Sequence, residues 1–397
     1  MAKYVILLGD GMADQPVAAL GGKTPLEAAN TPTLDRLASR GEIGMADTTP
    51  PGHEPGSDVN NMAVLGYGAE YYTGRSPLEA AAMGVDLGSD EVAFRCNLVT
   101  LEGEGPDSVM ADYSAGSITT EEASEIIKTL DEKLGSENLR FHPGVSYRHL
   151  MVFRGGPEDV KLTPPHDLSD QNIKDYYAPH PLLREITDKA REILKDHPVN
   201  KARIAAGKNP ASSIWLWGQG RAPSMPSLKE KRGLTGAMIS AVDLLKGIGI
   251  YADMEVIHVE GATGELHTNY EGKVAAAIDA LKRHDLVFVH LEGPDECGHQ
   301  GAVNDKVKAI EWFDERVVKP VLEYLDSTGE EWHALICPDH PTPVETKTHT
   351  RDPIPFLIAR SGDAENGSTR RYTEKEAEDT GLMLDTGIKL LPRLMQN

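Results

Sequence analysis

Three cysteines in 397 residues, Cys96, Cys297 and Cys337, are too few and odd in number for a disulfide framework. No Cys-x-x-Cys pair occurs. A reducing compartment fits this usage, and a cytoplasmic location is the expectation. Basic residues are also in short supply, 40 against 62 acidic ones, for a formal net charge of -22. That balance excludes a general nucleic-acid surface. It also means that an anionic substrate needs locally placed arginines or lysines. Long hydrophobic runs are missing as well. The apolar stretch before Gly9 is too short for a signal-peptide core or a membrane span, and no other stretch approaches membrane length. No membrane partner is expected. There is no GxSxG elbow and no GxxxxGK(S/T) loop, so neither an α/β-hydrolase triad nor a P-loop kinase is supported. No internal repeat stands out.

What is present is a set of short apolar runs bounded by Gly, Pro or Asp. Residues 4–9, 235–240, 254–259, 285–291, 333–337 and 354–358 read as buried, mostly parallel strands. Helical patterns lie between several of them. In TPTLDRLASRG, Thr31 reads as N-cap, Pro32 as first helical residue and Gly41 as the stop. From about Asp305 to Leu325 the apolar residues keep helical spacing. The alternation predicts an α/β, doubly wound fold with a mostly parallel sheet. The stretch 76–220 has its own elements, including a capping box at Thr119 and Glu122. It reads as a smaller α+β domain inserted into a discontinuous one made of 1–75 and 221–397.

Carboxylates and imidazoles gather where the runs end. Asp10 closes YVILLGD, Asp295 and His299 follow DLVFVHLEGP, Asp339 and His340 follow WHALICP, and His349 comes shortly after. Any one Asp–His pair is ordinary loop polarity. Three strand ends carrying such residues together point to a metal centre, because open α/β sheets build their sites beyond the carboxyl ends of strands. Mixed His and carboxylate ligands suit zinc or manganese better than calcium. Ser57, after Pro55-Gly56 and before an apolar helical stretch, sits where a helix N-terminus favours negative charge. By itself it reads as a helix cap; beside a metal it reads as a nucleophile.

These residues lie in longer motifs: LLGDGMAD, TPLEAANTPTLDRLA, PPGHEPGSDVNNMAVLGY, DYSAGSITTEEA, HLEGPDECGHQG and CPDHPTP followed by THTRDPIPFLI. In these motifs and their order the chain resembles the 2,3-bisphosphoglycerate-independent phosphoglycerate mutases of archaeal type, within the alkaline phosphatase superfamily. The resemblance implies two divalent ions, manganese foremost, with zinc or magnesium as alternatives. Asp10, Ser57, Asp339 and His340 match the ligands of one ion, and Asp295, His299 and His349 those of the other. Ser57 matches a transiently phosphorylated serine. The implied reaction interconverts 3- and 2-phosphoglycerate, in glycolysis and gluconeogenesis, without 2,3-bisphosphoglycerate. The inserted domain of such enzymes closes over the substrate. The alternative is phosphotransfer to another hydroxyl, as in homoserine kinase-like relatives, or plain phosphomonoester hydrolysis. Arg148, His149, His166, Asp167 and Arg221 are the candidate substrate contacts. His267 stands where the family has aspartate. A monomer is expected.

Overall fold

The apolar runs form strands, and their order across the sheet explains why residues far apart in sequence meet. The computed structural model describes residues 2–365 and 367–396. Among these, the strands are β1 (Lys3–Gly9), β2 (Glu42–Ala46), β3 (Glu91–Glu102), β4 (Val109–Asp112), β5 (Leu139–His142), β6 (Arg148–Arg154), β7 (Ser213–Gly220), β8 (Gly236–Ile239), β9 (Glu255–Val256), β10 (Leu286–Leu291), β11 (Trp332–Cys337), β12 (Ile354–Arg360) and β13 (Met383–Leu384). The chain divides into two compact units, Met1–Tyr72 with Ser224–Asn397, and Thr73–Pro223.

In the first unit an eight-stranded sheet runs β13-β2-β12-β11-β1-β10-β8-β9. β1 pairs parallel with both β10 and β11. The parallel run continues through β8 to β9. β12 is antiparallel to both of its neighbours, so among the described residues it alone runs against the rest. The expected α/β class with a mostly parallel sheet is therefore what forms. Val5, Ile6, Leu7 and Leu8 are all fully buried. Neighbouring residues on a strand face opposite ways, so both faces of the sheet are covered.

Three expectations change in detail. The run 254–259 makes a strand only at Glu255–Val256, because it lies at the sheet edge with β8 as its one partner. The helix after Thr31 begins at Pro32 and ends at Ala38, but the Thr31 side chain makes no capping bond. Its role is taken by Asp314, whose carboxylate accepts the free N–H groups of Thr33 (3.2 Å) and Leu34 (2.7 Å). Gly41 lies past the helix end, where an added Cβ would meet the Ile358 carbonyl at 2.6 Å. The long helix from Asp305 is interrupted. An α-helix Val303–Phe313 passes through a π-turn, Asp314–Val318, into a second α-helix, Lys319–Thr328. Pro320 has no N–H to give the preceding turn, and the wider π geometry falls just before it. That turn carries Asp314.

The second unit is an antiparallel sheet in which β3 pairs with β6, β7 and β4. One face carries Phe94, Cys96 and Leu98 of β3, which pack under the helices Thr120–Leu134 and Pro181–Lys195. The first of these helices has the expected capping box, Thr119 and Glu122 satisfying each other's backbone N–H. The opposite face carries Arg95 and Asn97, with Trp217 and Trp215 of β7 beside them in register. That alternation of β3 decides which side chains of this unit share a surface.

Candidate metal centre and anion-binding face

The order β11-β1-β10 places three strand ends side by side. Asp10 follows β1, Asp295 follows β10 and Asp339 follows β11. All three are buried. Ser57 is the first residue of the helix Ser57–Val64, whose N-cap is Gly56. Its hydroxyl caps nothing. Instead Oγ lies 3.3 Å from Asp10 Oδ2 and 3.3 Å from His340 Nε2. Two buried asparagines of the same helix fix this end. Asn61 donates to Asp339 Oδ2 (2.7 Å) and to the Ser57 carbonyl (2.8 Å), while Asn60 donates to the Asp339 carbonyl (3.0 Å).

Asp295 and His299 lie one turn apart on the helix Gly293–Gln300, 3.2 Å apart. His349 Nε2 is 3.0 Å from His299 Nε2 and 3.5 Å from Asp295 Oδ1. The His340 and His349 rings pack with centroids 3.9 Å apart. Two ligand-competent groups result, Asp10 with Asp339 and His340, and Asp295 with His340 and His349. His340 touches both, and His299 lies against the second.

The donor chemistry fits a cation. His299 Nδ1 faces the Lys347 carbonyl (3.0 Å) and His349 Nδ1 the Pro55 carbonyl (3.2 Å). A carbonyl only accepts, so each Nδ1 carries the proton and each Nε2 presents a lone pair. Thr342 donates to Asp295 Oδ1 (2.5 Å), so its oxygen is left to accept from His340 Nδ1 (3.2 Å), and His340 Nε2 is freed in the same way. Three imidazole lone pairs and three carboxylates converge, an arrangement that needs positive charge. Asp10 Oδ1 is buried without a hydrogen-bond partner. Burial, then the carboxylates of Asp339 and Asp295, push the Asp10 carboxyl well above its ordinary range. With no ion bound, the hydrogen bond to Asp295 raises His299 to about 9 despite its burial, so a cation has to displace a proton from Nε2 to reach that lone pair.

Behind the ligands are groups that the sequence reading passed over. His290, the penultimate residue of β10, contacts Asp10 Oδ2 at 2.7 Å. Lys306, fully buried, donates to Asp14 Oδ2 (2.8 Å) and to the Thr342 carbonyl (2.8 Å), pinning the loop after β1 to the loop after β11. The signal for both was a polar residue inside an apolar pattern, LVFVHL and VNDKVKAIEWF. His267 does not join the ligands; its ring packs edge-on against Trp312, centroids 5.4 Å apart.

The candidate substrate residues of the second unit separate. Arg148 and His149 are consecutive on β6 and so face opposite ways. Arg148 lies over the Tyr147 ring at 4.8 Å. His149 is turned inward, buried, accepting the Gly144 N–H at 2.9 Å, and burial drops its pKa to about 3. Arg221 is held by Glu158 (2.7 Å) and the Ser89 carbonyl (3.1 Å). His166 packs edge-on to Trp217 and pairs at 3.6 Å with the exposed Asp167. Arg95 comes into view on the same face, its guanidinium 4.5 Å above Trp217. One carboxylate, Glu79, serves both Arg95 (3.1 Å) and Arg75 (3.4 Å). Burial, and the charges of Arg75 and Arg148, lower Arg95 to about 10 although Glu79 opposes them. Positive charge is thus concentrated on one face of a unit within an acidic chain. Arg95 was hidden from sequence reading because FRCNLV looks like ordinary strand.

Comparison with known proteins agrees with this geometry. A family model described as 2,3-bisphosphoglycerate-independent phosphoglycerate mutase matches residues 38–200. The chain is 51% identical to the 2,3-bisphosphoglycerate-independent phosphoglycerate mutase of Methanosarcina mazei, covering 100% of both chains. It is 50% identical to a probable enzyme of the same name from Geobacter sulfurreducens, over 99% of each. Among solved structures, a protein from Pyrococcus horikoshii superposes with a TM-score of 0.83 at 31% identity, over 99% of this chain and 96% of that one. The cofactor-independent phosphoglycerate mutase of Thermoplasma acidophilum superposes with a TM-score of 0.66 at 26% identity, over 100% and 99%. The resemblance read from the motifs holds along the whole length, and the chain belongs to the 2,3-bisphosphoglycerate-independent phosphoglycerate mutase family.

Proposed function

We propose that the chain interconverts 3-phosphoglycerate and 2-phosphoglycerate through a phosphoserine at Ser57, with no 2,3-bisphosphoglycerate. The observation that carries this is the Ser57 hydroxyl. It starts a helix without capping it and faces Asp10 and His340 at 3.3 Å each. Ser57 Oγ forms a bond to phosphorus as the bond to the glycerate oxygen breaks, and its proton passes by way of Asp10 Oδ2 to the departing oxygen, which leaves as a hydroxyl. The N-terminus of the helix Ser57–Val64, where Gly56 supplies no side-chain cap, favours the arriving negative charge. Glycerate, held by its carboxylate, then offers its other hydroxyl to the phosphoserine, and Ser57 is regenerated. Two divalent ions held by Asp10, Ser57, Asp339, His340, Asp295, His299 and His349 would neutralise phosphoryl charge and make the hydroxyl a better nucleophile. Manganese suits this nitrogen and oxygen donor set, as do zinc and magnesium to differing degrees.

Arg75, Arg95 and Arg148 are our assignments for anion recognition, since guanidinium groups bind carboxylate and phosphate in two-point contacts. We place the enzyme in the cytoplasm as a monomer. Its three cysteines are buried thiols, which suits a reducing compartment. Among the described residues no helix is long and apolar enough to cross a membrane.

The test is a coupled assay of metal-loaded enzyme on 3-phosphoglycerate, with bisphosphoglycerate absent. Product 2-phosphoglycerate should appear, and chelation should abolish it. Ser57→Ala should lose turnover by about a thousandfold or more while still binding metal. Phosphorylation of homoserine with no conversion of phosphoglycerate would overturn the assignment.

A further inference from the structure

We propose that His290 is a positioning residue: it fixes the Asp10 carboxylate so that one oxygen serves the protein and the other is left for a metal ion. The inference rests on the metal-dependent mutase reading above. β10 reads LVFVHL and is buried throughout. An imidazole there is costly unless both of its nitrogens find partners. They do. Nε2 lies 2.7 Å from Asp10 Oδ2 and Nδ1 lies 3.1 Å from Ser240 Oγ.

The strand register builds this row. Leu8 of β1 is opposite His290, and Asp10, two residues on, points to the same face. On the other side Ile239 of β8 is opposite Val289, so Ser240 comes level with His290. Asp10, His290 and Ser240 therefore form a line across three adjacent parallel strands. Lys273, fully buried on the helix Tyr270–Leu281, donates to the His290 carbonyl at 2.9 Å and holds the backbone at the centre of the line.

The hydrogen bonds select one tautomer. Asp10 accepts, so Nε2 carries the proton. Nδ1 then has a lone pair and accepts from the Ser240 hydroxyl, whose oxygen also takes the Val242 N–H at 3.0 Å. The result is asymmetric. Oδ2 of Asp10 receives His290 and Ser57. Oδ1 has no hydrogen-bond partner and lies 3.5 Å from His340 Nε2. Outer contacts of this kind set ligand orientation and typically carry about 10–100-fold in metal affinity.

The experiment compares wild type, His290→Leu, His290→Gln and Ser240→Ala. Calorimetric titration of Mn2+ into stripped protein gives stoichiometry and affinity. The same proteins, reloaded, give kcat and KM, and selective 15N-histidine labelling reports the tautomer. His290→Leu should weaken one Mn2+ by about 10–100-fold and leave the other within about twofold, with kcat falling more than KM rises. His290→Gln, which keeps an N–H near the position of Nε2, should recover most of the affinity. Ser240→Ala should keep the Nε2–H tautomer, which Asp10 selects, and weaken the same Mn2+ less than His290→Leu does. Unchanged affinity for both ions in His290→Leu would overturn the inference. So would an Nδ1–H or doubly protonated His290 ring in the wild type, a result that holds even if the leucine variant does not fold. Wild type that binds no Mn2+ and turns over no phosphoglycerate would instead refute the function proposed above, which separates the two failures.

Discussion

Gly11 has little room to change. Its φ is +60°, and an added Cβ would lie 2.5 Å from Asp295 Oδ1 and 2.6 Å from Thr342 Oγ1. Gly11→Ala therefore combines a left-handed backbone cost of about 1–2 kcal/mol with a side chain thrust between two groups that shape the site. We expect turnover to fall far more than the melting temperature; equal losses in the two measurements would refute this. The arginines give a second prediction. Arg95→Met should lower kcat/KM by about ten- to a hundredfold, the worth of a charged hydrogen bond. Arg221→Met, whose charge is spent on partly exposed Glu158, should leave kcat/KM near wild type and stability within about 1 kcal/mol. The reverse order would move the anion-recognition role to Arg221. At this scale the clustering of the candidate ligands was legible, because carboxylates and imidazoles at strand ends are unusual. The supporting residues were not. His290, Asn61 and Arg95 each lie within buried stretches, where one polar letter says nothing about what it faces. Arg148 and His149 were both candidate contacts, and the strand alternation sends their side chains to opposite faces.

Among the elements, the strands at the sheet centre were read to within about two residues, since continuous buried runs have one reading. The short outer strands β2 and β13 and the π-turn were not readable. Each exists because a neighbour satisfies it, as when Asp314 replaces the expected cap of Thr31. The helix Glu374–Glu378 is tied down in the same long-range way. Its Glu374 carboxylate accepts the Asp14 N–H (3.2 Å) and the Thr24 hydroxyl (2.8 Å). Burial raises Glu374 from an ordinary 4.5 to about 7, against those hydrogen bonds. Below pH 4.5 the folded and unfolded chains both hold this proton. Between 4.5 and about 7 only the folded chain holds it, so this group lowers stability as pH rises through that window and adds no further change above it. Urea unfolding of Glu374→Gln should therefore lose part of the decline that wild type shows between pH 5 and about 7. Parallel pH profiles would refute the assignment.

The whole molecule has separate cores. One surrounds β1, β10 and β11 with Ile310, Phe313 and Val317; another lies between β3 and the helices of the second unit. The seven proposed metal ligands all belong to the first unit. Scanning calorimetry should then show two transitions, of which Mn2+ raises only one. At a hundred times the dissociation constant the gain is about 2.7 kcal/mol. A single transition that moves as a whole would show that the units unfold together. The two compact units divide at residues 72/73 and 223/224, against the 75/76 and 220/221 read from sequence. Sequence reading comes close there because no ligand-type motif interrupts the stretch between.

The position of β1 between β10 and β11 has a consequence for synthesis. β1 leaves the ribosome before both of its neighbours, which are made at least roughly 280 residues later. At about 5–20 residues per second that is a wait of roughly 15–60 s. Throughout it an apolar strand, built to be covered on both faces and both edges, has nothing native to pair with. The newborn β1 is therefore a natural client for a holding chaperone. Metallation of the proposed centre, which needs Asp10 beside residues from the last third of the chain, can only follow release.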